Sequence, residues 1–137
     1  MTNLLKQNET YALAALRIMA ALLFFAHGSQ KIFSFPTAEF MPPAFSLLWI
    51  GGILEMAGGA LLALGLFTRP TAFLMSGMMA VAYFMFHAPQ SFFPALNGGD
   101  AAILFSFIFL LLTFSGPGAL SLDARRASTG SARLATT

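Results

Sequence analysis

The sequence predicts an all-α integral membrane protein, a four-helix bundle with both termini cytoplasmic. Three observations carry that reading. Only 9% of the 137 residues are charged, against roughly 25% in an average soluble domain, while 58% are hydrophobic and mean hydropathy is +0.78. The apolar residues fall into four blocks near spanning length, parted by turn-forming stretches. The basic residues concentrate on one side of that alternation.

The first block is Tyr11–Phe33, preceded by Lys6. It exceeds the 7 to 15 residues or so of a signal-peptide core, and three more blocks follow, so it is read as a retained helix. Pro36 and Pro42-Pro43 break the first connection, Thr68-Arg69-Pro70 makes the second very short, and Pro89, Pro94 and Asn97-Gly98-Gly99 break the third. Gly116-Pro117-Gly118 ends the fourth block. A spanning helix needs about 20 mostly apolar residues, so helices are expected at about 11–33, 46–67, 70–88 and 99–116, within one domain over 1–122. The small, polar, arginine-bearing segment 123–137 is expected to be a disordered cytoplasmic tail.

With four spans, Lys6, Arg69, Arg125, Arg126 and Arg133 share a side and only Lys31 lies opposite, which puts both termini inside by the positive-inside rule. The net charge of +2 reflects this asymmetry, and no nucleic-acid partner is implied. The partner that composition demands is the lipid bilayer.

Polar residues stand out in such a chain. Counting about 1.5 Å per residue from the inner boundary puts His27 and His87 at the same height, roughly 22 Å up a core about 30 Å thick. Glu55 lies near the middle, and Gln30, Lys31, Gln90, Asn97 and Asp100 belong to the outer surface. His27-Gly28-Ser29-Gln30 and His87-Ala88-Pro89-Gln90 both read H-x-x-Q, a candidate internal repeat. In GGILEMAGGALLALG, Gly51, Glu55 and Gly59 recur at intervals of four, with Gly52, Gly58 and Ala63 close to the same side. Small residues at helical spacing admit a neighbouring backbone, so this face belongs inside and carries Glu55 with it.

A carboxylate near mid-membrane needs a partner or a purpose. Arg17, roughly 8 Å inside the inner boundary, is the expected structural ion-pair partner of Glu55, with snorkelling to the headgroups or a proton-accepting Glu55 as alternatives. The methionines Met75, Met78, Met79 and Met85 read as adaptable packing. With no cysteine, dithiol chemistry, iron–sulfur clusters and thiolate metal sites are excluded. There is no phosphate-binding glycine loop or dinucleotide fingerprint, so flavin or nicotinamide chemistry would have to come from a partner.

Arg17, HGSQK at 27–31, EMAGGALLALGLFTRP at 55–70, His87 and GPGALSLD at 116–123 together resemble the DoxX family of small bacterial membrane proteins. The resemblance spans nearly the whole chain in the family's order. It implies a four-helix inner-membrane protein and an oxidoreductase role exercised with partners, since the family takes its name from a small subunit of an archaeal thiosulfate:quinone oxidoreductase.

Three functions remain open on these residues. In the first, the chain is the membrane component of a redox system and binds a quinone in an outward-facing polar pocket, with His27, Glu55 and His87 as catalytic candidates and Gln30, Lys31, Gln90 and Asp100 as substrate-binding candidates. In the second it is a non-catalytic anchor or assembly subunit for a redox-enzyme partner. In the third the histidines, with Glu55 or Asp100, hold a metal ion, or alone ligate a haem, although no local ligand spacing marks a metal site. Catalysis by the chain alone, the identity of any cofactor and homo-oligomerisation are left open by the sequence.

Overall fold

The computed structural model describes residues 2–134, and all regular structure among them is helical. Helix α1 runs Thr2–Phe33, starting well before Tyr11. Its opening residues include Leu4, Leu5, Lys6 and Glu9, good helix formers with no proline among them. Helix α2 (Leu47–Leu64) begins at Ser46, whose side chain accepts the Trp49 N–H, and ends where Gly65 turns left-handed at φ 64°. Helix α3 (Thr68–Ala82) continues into one π-helical turn, Tyr83–His87, marked by the Ala88 N–H reaching the Tyr83 carbonyl at 2.9 Å. The short α4 (Pro94–Asn97), then α5 (Asp100–Ser115) and α6 (Leu122–Leu134) complete the chain.

Helix α6 occupies the segment expected to be a disordered tail; residues 135–137 lie outside those described. The Ser121 hydroxyl accepts the Ala124 N–H and caps the new helix, whose alanines and arginines favour the α conformation. Low hydrophobicity bars a segment from a core, but it does not bar a capped helix.

Packing is pairwise: α1 lies along α2, and α3 along α5, with α2 against α3 joining the pairs. Glycine sets the first contact. A Cβ on Gly28 would stand 2.5 Å from the Gly52 carbonyl oxygen, and one on Gly59 would stand 2.9 Å from that of Ala21, so the two backbones approach as closely as glycine allows. Between α3 and α5, Ser76 and Ser106 exchange hydrogen bonds, each hydroxyl donating to the other's carbonyl at 2.8 and 3.1 Å. Phe24 packs at the centre, its ring 5.3 Å from that of Phe105 and 4.9 Å from that of Phe109. The outer faces are greasy: Leu23, Phe73, Phe84, Phe107 and Phe114 are all exposed, an arrangement that suits lipid and not water. Helices α1 and α2 are each long and apolar enough to cross a membrane.

At one end of the molecule, three charged residues hold helix termini together. Arg17 is completely buried and does not meet Glu55, correcting the expected ion pair. Its five N–H groups donate to five carbonyls: Leu62 and Ala63 in the last turn of α2, and Pro117, Ala119 and Leu120 in the loop after α5. Carbonyls at a helix C-terminus lack intrahelical partners and carry partial negative charge, so a planar guanidinium satisfies them without a carboxylate. Arg69 likewise donates to Thr113 and Phe114 at the end of α5. Asp123 accepts the Phe67 and Thr68 N–H groups at 2.9 and 2.8 Å, capping α3 from a distant part of the chain.

Candidate functional site

With Arg17 engaged elsewhere, Glu55 takes its partner from the outer end of α1. Lys31 Nζ lies 2.5 Å from Glu55 Oε1, and the glutamate side chain is only 4% exposed. Two helical facts produce the pair. Glu55 sits on the glycine face of α2, and a Cβ on Gly52 would meet the Lys31 Cβ at 2.8 Å, so the lysine stem runs along the contact. The other carboxylate oxygen, Oε2, is buried and has no hydrogen-bond partner among the described residues. An unpaired buried acceptor is costly, so this atom marks where a donor belongs.

The pair borders a cavity of about 350 Å³. His27, Lys31, Glu55, His87 and Gln90 supply its polar lining; Phe24, Leu48, Met79, Phe86 and Phe105 are among its apolar walls. Residues from α1, α2, α3, the π turn and α5 therefore meet around one space.

Each histidine is positioned differently. His27 stands edge-on to Phe105, with ring centroids 5.8 Å apart. His87 lies in the π turn, where Nδ1 is 3.0 Å from the Asn97 carbonyl oxygen and the ring stacks near Tyr83 at 6.3 Å. A hydrogen bond at Nδ1 fixes the ring's orientation and leaves Nε2 for another partner. The π turn, an extra residue in the helical winding, resets the direction of side chains beyond it and recurs at functional sites in proteins generally.

Asn97, placed by the sequence at the outer surface and in a turn, is not among the candidate site residues. It is 4% exposed, and its side chain ties the 91–99 segment together by donating to the Ser91 carbonyl and accepting the Gly99 N–H, both at 2.8 Å. Next to Gly98-Gly99 it reads as an ordinary turn residue, and only the burial of its amide distinguishes it.

The other candidates divide. Gln90 lines the cavity and donates to the Phe86 carbonyl at 2.6 Å, within the turn where the α-helical pattern lapses. Gln30 lines a neighbouring depression of about 200 Å³ with Ala38, Phe40 and Pro42, and His27 and Lys31 border both spaces. Asp100 is exposed at the start of α5 and is not among the cavity's lining residues. No three His, Cys, Asp or Glu side chains gather as a metal site among the described residues.

The DoxX family profile matches residues 12–88, the stretch that carries His27, Lys31, Glu55 and His87. An uncharacterized protein of Haemophilus influenzae is 43% identical over 127 residues, covering 88% of this chain and 95% of its own. The inner membrane protein YqjF of Escherichia coli K12 is 32% identical over 126 residues, covering 87% of this chain and 95% of its own. No solved structure matches. The profile spans over half the chain and the relatives align along nearly all of it: this membrane protein belongs to the DoxX family.

Proposed function

We propose that the chain is the membrane component of a quinone-linked redox system in the bacterial inner membrane, crossing it four times with both termini in the cytoplasm. The quinone ring occupies the cavity between His27, Glu55 and His87. The observation that carries this reading is the composition of that cavity: hydrogen-bonding side chains of both kinds, His27, Lys31, Glu55, His87 and Gln90, among largely apolar walls. A quinone has two polar oxygens on an otherwise apolar ring, and needs that combination.

The chain's own part is binding, orientation and proton handling. The Lys31 ammonium, beside the cavity, steadies negative charge developing on a ring oxygen. His27 and His87 hold or pass the two protons that accompany two-electron reduction, and the Glu55 carboxylate accepts a hydrogen bond from a ring hydroxyl in the reduced form. The electrons come from a partner redox enzyme, because this chain has no cysteine, no phosphate-binding glycine loop and no dinucleotide fingerprint.

The test is ubiquinone binding to the purified protein in lipid nanodiscs. Replacing His27 and His87 together by alanine removes two hydrogen-bonding groups of about 1 kcal/mol each, so affinity is expected to fall by about 30-fold. Unchanged affinity in a folded double variant, or no binding by the natural protein, refutes the reading and leaves the assembly-subunit alternative.

A further inference from the structure

We infer that the ligand enters sideways from the bilayer, between α2 and α3, and leaves its apolar tail in a groove at Gly51; the inference rests on the reading above for the polar head. A second space of about 150 Å³ lies between these helices, lined by Ile50, Gly51 and Leu54 of α2, Met78 and Val81 of α3, and Met85 of the π turn. Lys31 and Glu55 border this groove as well as the polar cavity, and so do Met79 and Phe86. One continuous surface thus passes from the ion pair to the outer faces of two helices. Those faces are open, with Ile50 and Leu54 each 44% exposed and Val81 56% exposed, and in a membrane they meet acyl chains.

Gly51 gives the groove its meaning. A Cβ at Gly28, Gly52, Gly58 or Gly59 would collide with a neighbour, so packing accounts for those glycines. A Cβ at Gly51 meets nothing within 4 Å, so packing does not account for it. Glycine is the least favourable residue after proline inside a helix, and here its effect is to keep a gap against α3. The methionines across that gap are the side chains best able to follow a flexible chain. The groove is small, about 150 Å³, continuous with the polar cavity and open to faces that meet acyl chains, which makes a slender lipid-borne tail its occupant.

The experiment uses two probes in nanodiscs: a quinone with a single isoprene unit and one with a long polyprenyl tail. Gly51→Phe fills the groove, and Gly77→Phe, at an exposed α3 position where a Cβ also meets nothing, is the control. The expected result is about tenfold weaker binding of the long-tailed probe to Gly51→Phe, with the short-tailed probe and the control within about twofold. Equal effects on both probes, or none on either, overturn the groove while the cavity reading stands. Failure of both probes to bind the natural protein removes the cavity reading and the groove together. Should Gly51→Phe not fold, a long-tailed probe with a photoreactive group at its tail end replaces it: labelling of residues 47–64 and 68–87 supports the groove, and labelling confined to other helices overturns it.

Discussion

Lys31 and Glu55 form a close pair in which the carboxylate is almost wholly removed from solvent and the ammonium keeps partial access. Breaking such a pair strands a charge, at a cost that reaches about 3–5 kcal/mol, whereas replacing both members by apolar groups costs much less. Lys31→Met is therefore expected to destabilise the protein in detergent more than the double variant Lys31→Met with Glu55→Leu, as followed by thermal unfolding. Simple additivity would mean that the two side chains do not depend on one another. Arg17 is different in kind, because its five donors serve backbone carbonyls. Lysine offers at most three donors without the planar fork, so Arg17→Lys leaves at least two carbonyls unserved and is expected to cost about 2–4 kcal/mol in the same measurement.

Between elements, glycine and capping decide the geometry. Gly28→Ala places a methyl group against the backbone of α2 and is expected to cost about 1–3 kcal/mol, while Gly51→Ala is expected to be neutral or to stabilise by up to about 1 kcal/mol through helix propensity. A parallel thermal series on the two variants separates close packing from groove formation. Asp123 caps α3 across the chain. Burial by itself raises its pKa, but the hydrogen bonds from Thr68 and Phe67 and the nearby Arg126 charge outweigh burial, leaving it below the ordinary aspartate value. A folded-state pKa below the unfolded one gives stability that is present above the unfolded value, about 3.9, and is lost as pH falls through the folded value. Asp123→Asn should lower stability at neutral pH by about 1 kcal/mol and flatten the further loss in acid, read from melting temperature against pH.

For the whole molecule, the proposed orientation puts the capped end, with Arg69, Asp123 and α6, on the cytoplasmic side and the mouth of the histidine cavity on the other. Helix α1 is about 48 Å long at 1.5 Å per residue, so its first turns project beyond a core about 30 Å thick. The natural chain has no cysteine, which makes labelling clean. Single cysteines at Thr37 and Ser91 should react with a membrane-impermeant thiol reagent in intact cells, and one at Ser128 should not. Labelling at Ser128 from outside would reverse the orientation.

The sequence by itself determined the apolar character and the helical class, because these follow from hydropathy, proline and glycine, which act locally. It also picked out His27, Lys31, Glu55, His87 and Gln90, since a polar group in an apolar run is visible without knowing its neighbours. Only the tertiary structure decided who meets whom. Counted depth made Arg17 the expected partner of Glu55 and put Lys31 at the outer surface, but depth along a helix says nothing about the direction around it. The carbonyls that claim Arg17 come from residues 45 to 103 positions away in sequence. Gly51 and Gly52 look alike on paper; one faces a groove and the other the Lys31 stem, because a single residue turns a helix by about 100°. The π turn at Tyr83–His87 and the buried amide of Asn97 left no local signal, since both depend on contacts that exist only once the chain has folded.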